Sequence, residues 1–327
     1  MLPCVPTAVT LALHETLEDD AKLAVALVAE SGEIDVMESG LVPVQHWIES
    51  RLFAVVRLSE VRSIASEVVG PAAEAEALYV RQLRLADRMA AQSGEFVIWD
   101  IGLGAAANVI TALRLTRAAG QSVRIISFDN TIEPLRFALQ HADVLGYFAG
   151  YESVAAEFAA EGSVTFDDEG RAVGWQLQLG DFPSLMAMEA ARAAADRLLP
   201  APHAIMFDAF SPAKNPTMWT QPLFDHLFRV LDPARPCALA TYSRSTLLRV
   251  SLLLAGFWVG VGHASGEKEE TTVAANARDL IAEPLDLKWL DRARRSGSAE
   301  PLWEPVYRQL PLTPATWERL RNHPQFQ

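Results

Sequence analysis

Residues 100–108 read Asp-Ile-Gly-Leu-Gly-Ala-Ala-Ala-Asn, directly after an apolar run, and no other stretch narrows the fold of this 327-residue chain as much. A strand-length apolar segment (95–102) that passes through an acid and two glycines into the helical pattern 108–118 is the first strand-to-helix turn of an open α/β sheet. Without a Cβ, Gly102 and Gly104 let the backbone come close to a ligand, so Asp100, Gly102, Gly104 and Asn108 are candidate cofactor contacts. Such a glycine pair alone serves dinucleotide sites, S-adenosylmethionine sites and plain tight turns alike. A diphosphate cofactor favours the full G-x-G-x-x-G pattern, whose last place is Ala107 here.

The pattern that follows alternates. A strand over 123–129 precedes a helix over 132–145, which makes two βαβ units with the first strand. A hairpin is expected from 163–166 and 172–181 around the turn Asp-Asp-Glu-Gly-Arg, then a helix over 183–198 and a strand over 203–210. A helix over 220–230, a strand over 237–243, a helix over 245–255 and a final β pair from 257–264 and 271–275 complete the order. A doubly wound parallel sheet closed by an antiparallel pair departs from the dehydrogenase pattern and matches the class I methyltransferase order. The expected fold is therefore α/β, a Rossmann-like class I S-adenosylmethionine-dependent methyltransferase with an antiparallel final hairpin, preceded by an N-terminal α+β segment. The expected divisions are an acidic, mostly helical segment 1–90, the methyltransferase core 91–280 and an irregular tail 281–327.

Two further strand ends agree with a cofactor site. Asp129 ends the second strand, where a carboxylate can accept both hydroxyls of a ribose. Gly180-Asp181-Phe182 ends the third, where an acid and the next backbone amide can read an adenine edge. Capping is the alternative for Asp129, because Asn130 and Thr131 begin a helix.

The run Phe207-Asp-Ala-Phe-Ser-Pro-Ala-Lys-Asn-Pro-Thr-Met-Trp-Thr220 supplies the other half of a site. It sets Asp208 at the end of a buried strand and follows it with a loop stiffened by Pro212 and Pro216, where reaction geometry can be set. Tyr242 and Ser243, at the end of the strand over 237–243, border the same cleft. Trp219 reads as a packing anchor at a helix start.

Composition sets limits on partners. Half the residues are apolar, yet no apolar run reaches the ~20 residues of a membrane span, and the opening residues show no positively charged leader, so a cytoplasmic protein is expected. Cys4 and Cys237 are the only cysteines and the seven histidines form no ligand-spaced cluster, so no metal is indicated. The net charge of −13 argues against a nucleic-acid partner, but residues 1–50 carry nine acids against Lys22 alone. A basic surface remains available from Arg244 with Arg249 and from Arg292, Arg294 and Arg295.

At this point the chain resembles the methyltransferase half of the bifunctional MnmC enzymes and its stand-alone relatives, which methylate 5-aminomethyl-(2-thio)uridine at the tRNA wobble position. Asp208, Phe210, Ser211, Pro212, Lys214, Asn215, Pro216 and Trp219 fit the family's D-[AG]-F-[AS]-P-x-K-N-P-x-[LM]-W loop. Gly102, Gly104 and Asn108 fit its G-x-G-x-G-x-N turn, and Leu179, Gly180 and Asp181 its L-G-D. The likeness runs over about 76–275. The chain departs from the pattern at Ala106 for the third glycine, at Asp129 for a usual Glu, at Tyr79 for a usual His, and at Gly266-Glu-Lys-Glu-Glu270 for a basic turn.

The resemblance implies S-adenosyl-L-methionine as cofactor, tRNA as partner, and a stand-alone form without the oxidase half. It implies Asp208 as the residue that orients the acceptor amine, with Phe210 and Pro212 walling in a flipped base. Ser211, Lys214, Asn215, Tyr242 and Ser243 then lie on the substrate side, with Lys214 near a phosphate. Loss of basic residues at 266–270 would weaken RNA contacts. Two other readings stay open: a methyltransferase of the same fold acting on a small amine or other non-RNA acceptor, and a nucleotide-binding module without turnover. A dehydrogenase shares the glycine turn, but the antiparallel ending counts against it.

Overall fold

A computed structural model of the chain describes residues 71–264 and 270–327. The acidic stretch 1–50 and most of the 266–270 turn lie outside the described residues. The described chain opens with helix α1 (Pro71–Ala75), which runs into a π-helical turn (Glu76–Arg81), and then helix α2 (Leu85–Ala90). Strand β1 (Phe96–Ile101) leads to α3 (Ala107–Thr116), and β2 (Val123–Asp129) to α4 (Glu133–Gln140), α5 (Ala142–Leu145) and α6 (Glu152–Glu161). The hairpin of β3 (Ser163–Asp167) and β4 (Ala172–Leu179) precedes α7 (Phe182–Ala191), β5 (Ala204–Phe207) and α8 (Gln221–Val230). Next come β6 (Ala238–Thr241), α9 (Thr246–Ala255), β7 (Trp258–Gly262) and β8 (Thr271–Ala275), then α10 (Leu287–Arg295) and α11 (Pro314–Arg321).

Eight strands form one sheet in the order β3-β4-β2-β1-β5-β6-β8-β7. Strands β4, β2, β1, β5 and β6 run parallel, while β3 pairs antiparallel with β4, and β8 antiparallel with both β6 and β7. After β1 the chain builds outward through β2 and β4, then returns to lay β5 on the other flank of β1. The connections reverse direction between β1 and β5, and a crevice at the carboxyl ends of those two strands is where such sheets bind ligands.

Alternation along β1 explains why its six residues are all buried. Phe96 and Ile98 join one apolar cluster with Leu78, Val109 and Leu113, whereas Val97, Trp99 and Ile101 join the other with Phe207, Phe224 and Leu248. Successive side chains point to opposite faces, so a strand covered on both sides reads as a continuous apolar run. The π-turn and α3 pack together on one face, α8 and α9 on the other.

Three expectations from sequence change. The helix over 132–145 is interrupted at His141 and ends at Gly146, whose φ of +66° is left-handed. Helix α6 lies where the sequence pattern suggested no element; Gly162 at φ +73° closes it. The tail after residue 280, expected to be irregular, carries α10 and α11, capped by Asp286 and Thr313. The division into 1–90, 91–280 and 281–327 is kept as a proposal about folding units; within it, the helices of 71–90 pack on α3.

Candidate active site

The carboxyl ends of β1, β2, β5 and β6 bring together most of the residues singled out in the sequence. Asp100 is wholly buried; its Oδ2 accepts a 2.7 Å hydrogen bond from Ser127 Oγ, which in turn accepts 2.9 Å from Trp175 Nε1. This polar chain crosses three neighbouring strands, β4, β2 and β1. Asp100 Oδ1 has no hydrogen-bond partner among the described residues. Burial above all, with the charges of Asp208 and Asp129 adding to it against the Ser127 bond, pushes the Asp100 carboxyl well above the usual carboxylate range.

The two glycines of the turn do different jobs. At Gly102, φ is +90° and a Cβ would lie 2.5 Å from the Asp208 carbonyl oxygen, so the group that approaches closely is the backbone after β5 rather than a ligand. At Gly104, φ is +50° and nothing lies within 4 Å of the Cβ position, which leaves open space at the head of α3. Ala106 takes the N-cap place of α3 at φ +62°, a left-handed conformation that favours glycine. The backbone therefore keeps the shape of the glycine turn although the residue differs.

Asp129 is pinned by that turn. Its Oδ2 accepts from the Gly104 amide at 3.0 Å, and its Oδ1 from the amides of Asn130 at 2.7 Å and Thr131 at 3.3 Å. Burial raises its carboxyl above the ordinary value against these three bonds. The carboxylate is thus held rigid at the edge of the open space by Gly104, with lone pairs left for ligand hydroxyls. Gly180 (φ +140°) donates its amide to the Asp129 carbonyl at 2.9 Å. Asp181 caps α7 by accepting from Ser184 N at 2.9 Å, and the Phe182 ring is buried edge-on against Phe128 at 5.1 Å. The structure gives these two side chains capping and core roles.

Asp208 follows β5, half-buried, and its amide donates to Ile101 O at 2.8 Å. Asn108 Nδ2 on α3 donates to Asp208 Oδ2 at 2.9 Å. The asparagine expected at the cofactor therefore orients the carboxylate expected at the acceptor. The loop beyond is locked from behind. Trp219, fully buried, donates Nε1 to Phe210 O at 2.6 Å, and Tyr242 Oη donates to Ala209 O at 2.9 Å. The amides of Lys214 and Asn215 both donate to Ser211 O at 2.9 Å, while Phe210 is 43% exposed, Pro212 half-buried and the Lys214 side chain exposed. The Ser243 carbonyl accepts from Thr272 Oγ1 at 2.6 Å and its hydroxyl from the Ser245 amide at 3.4 Å. The tail meets the far end of this loop, where Gln221 N donates to Leu302 O at 2.7 Å.

Tyr79 was noted in the sequence only as a departure from a pattern, yet the structure places it in this cluster. It is 1% exposed, and its hydroxyl has no hydrogen-bond partner among the described residues. Burial first, then the charges of Asp208 and Asp100, hold its pKa well above the ordinary value. Nothing in local sequence marks such a residue.

The expected basic surface is corrected at one position. Arg249 is buried and bonds Thr271 O, Thr272 Oγ1 and Glu270, which ties α9 to β8 instead of facing solvent. Arg244, Arg292, Arg294 and Arg295 are exposed. Among the described residues no group of three potential metal ligands occurs, and no helix is long and apolar enough to cross a membrane.

Comparison with known proteins agrees with this geometry. A family model described as an S-adenosyl-L-methionine-dependent methyltransferase matches residues 166–277. The chain is 31% identical to the "tRNA 5-methylaminomethyl-2-thiouridine biosynthesis bifunctional protein MnmC" of Aeromonas hydrophila over 68% of its own length and 34% of that protein. It is 27% identical to the protein of the same name from Chromobacterium violaceum, over 70% and 33% respectively. The chain spans about a third of the length of these curated relatives. The crystal structure of MNMC2 from Aquifex aeolicus has the same fold, with a TM-score of 0.53, 20% identity, and coverage of 93% of this chain and 98% of that one. The residues present fit the cofactor: a rigid acid beside open space at Gly104, and a buried carboxyl oxygen, Asp100 Oδ1, without a partner among the described residues. The chain carries an MnmC-like, S-adenosyl-L-methionine-dependent methyltransferase domain of the class I fold.

Proposed function

We propose that this domain methylates the primary amine of 5-aminomethyl-(2-thio)uridine at the wobble position of tRNA, and that it works in the cytoplasm. The observation that carries the reading is the Asn108–Asp208 pair at the β1/β5 crevice. With Oδ2 occupied by Asn108, Asp208 presents Oδ1, which has no donor among the described residues, toward an incoming N–H. The printed name of the MnmC relatives supports the choice of acceptor, as does the match of the 208–219 loop to their pattern.

When bound, the cofactor supplies a sulfonium methyl; the amine lone pair forms the N–C bond as the S–C bond breaks, with its electron pair left on sulfur. Asp208 Oδ1 accepts one N–H and so turns the lone pair away from the carboxylate; holding the reactants at attack distance provides most of the acceleration. Asp129, fixed by the Gly104 amide, would take the ribose hydroxyls, with Asp100 at the end of the neighbouring strand β1. Phe210 and Pro212 wall the acceptor base, which must leave its stack to reach Asp208. Lys214, exposed on the same loop, is placed to meet a backbone phosphate.

One observation favours a second reading, a small amine as acceptor: the net charge of −13 opposes a polyanion. Labelled S-adenosylmethionine and tRNA carrying unmethylated 5-aminomethyluridine decide between them. Label recovered in the wobble nucleoside is the expected result. Label entering free amines but not tRNA would replace the proposal with the small-amine reading, and cofactor binding without transfer to either would leave a non-catalytic module.

A further inference from the structure

Between α1 and α2 the chain widens into the π-turn Glu76–Arg81, a form that is rare and appears often at functional sites. The turn packs on α3 and β6, the elements that carry Asn108 and lead into Tyr242. It buries Tyr79 against these two elements, with a hydroxyl that has no hydrogen-bond partner among the described residues. A buried tyrosine normally finds a partner, because an unmade hydrogen bond there is costly. Tyr242 does not play that part for it; its own hydroxyl is given to Ala209 O. The charges around Tyr79 are those of Asp208, Asp100 and Glu74, and together with burial they keep the hydroxyl protonated at neutral pH. A buried donor without an acceptor among the described residues thus lies within the electrostatic reach of the carboxylate that receives the amine.

We infer that Tyr79 reads the acceptor base: its hydroxyl donates a hydrogen bond to the ring carbonyl beside the aminomethyl-bearing carbon, while Asp208 takes the amine, so the site selects a uracil over a cytosine. This rests on the proposed function and deepens it. In a 5-aminomethyluracil the side-chain amine and the neighbouring O4 lie on the same edge, one a donor of N–H and the other an acceptor. A carboxylate next to a hydroxyl donor is complementary to that pair. A cytosine offers an exocyclic amine at the same place, which would set donor against donor and leave both unpaired in a buried site.

The test compares wild type with Tyr79→Phe on anticodon stem-loops carrying 5-aminomethyluridine or 5-aminomethylcytidine. Calorimetry of S-adenosylmethionine and a thermal melt are run on the same preparations. Wild type should prefer the uridine by about 100-fold, and Tyr79→Phe should lose roughly tenfold or more in kcat/KM on uridine only, as expected for one buried hydrogen bond. Cofactor affinity should stay within about twofold, and the melting temperature should hold or rise, because a purely structural orphan is relieved by phenylalanine. Tyr79→His, which keeps a donor, should recover part of the preference and serves if the phenylalanine variant does not fold. Unchanged discrimination in Tyr79→Phe would overturn the inference, as would a matching loss of cofactor affinity. A wild-type protein that methylates neither stem-loop would instead remove the proposed function, and this inference with it.

Discussion

Asn108→Ala separates two assignments that the glycine-turn motif alone leaves merged. The motif puts Asn108 at the cofactor, whereas the structure joins its Nδ2 to Asp208 Oδ2 at 2.9 Å, with Asn108 itself 8% exposed. A hydrogen bond to a charged group contributes about 1.5–3 kcal/mol, and the half-buried position of Asp208 points to the lower part of that range. A loss of about 1.5–2 kcal/mol corresponds to roughly 10–30-fold in rate. Because the carboxylate would remain but swing, the loss should fall on kcat for methyl transfer at saturating cofactor, with cofactor affinity nearly unchanged. Single-turnover transfer to undermodified tRNA reads the rate, and calorimetric titration reads the affinity. A cycle with Asp208→Asn completes the test: if Asn108 acts through Asp208, the double variant should be faster than the product of the two losses by a coupling of about 1 kcal/mol or more. Independent losses, or a tenfold weaker cofactor with normal transfer, would show that Asn108 serves the cofactor and that the pairing has no catalytic part.

Other expectations are simpler to read. Gly102→Ala places a Cβ 2.5 Å from the Asp208 carbonyl at φ +90° and should cost about 2–4 kcal/mol in denaturant unfolding. Gly104→Ala meets no atom within 4 Å and should cost only about 1 kcal/mol, from its left-handed φ, while weakening the cofactor; equal destabilisation of the two would contradict the contact at Gly102. Asp100 is expected to make stability pH-dependent. Its folded pKa is raised, so the native state holds the proton more tightly than the unfolded chain, and stability falls as pH rises from the ordinary carboxylate range toward the folded value. Asp100→Asn should flatten that slope above the ordinary carboxylate range, and parallel curves for the two proteins would argue that Asp100 is not the group responsible. The same variant should bind cofactor less well, through loss of the Oδ1 acceptor.

Features set by local chemistry were legible in the sequence. The strand over 123–129 agrees with β2 residue for residue, because an apolar run covered on both faces has no competing pattern, and the acids ending β1, β2 and β5 lie at strand ends as expected. Long-range contacts were not legible. Gly102 resembles any glycine that admits a ligand until β5 is laid beside β1 and the Asp208 carbonyl fills the place of its Cβ. Arg249 reads as a surface charge until α9 turns it onto Thr271 and Thr272. Asp181 fits a ligand and a cap equally well, since one carboxylate at a strand-to-helix turn can do either, and its bond to Ser184 N is a fact of geometry.

Asp100 Oδ1 and the Tyr79 hydroxyl have a common logic. Both are buried without partners among the described residues, and both sit within the electrostatic reach of Asp208. A fold selected only for stability would replace each with an apolar side chain of the same shape, at little cost or at a gain. Instead, the left-handed Ala106, the crowded Gly102 and the π-turn at Tyr79 lie on the elements that bound the crevice, where a site can justify conformational cost. Buried polar groups kept in place of apolar ones on the elements that bound this crevice mark a site whose hydrogen bonds a ligand completes.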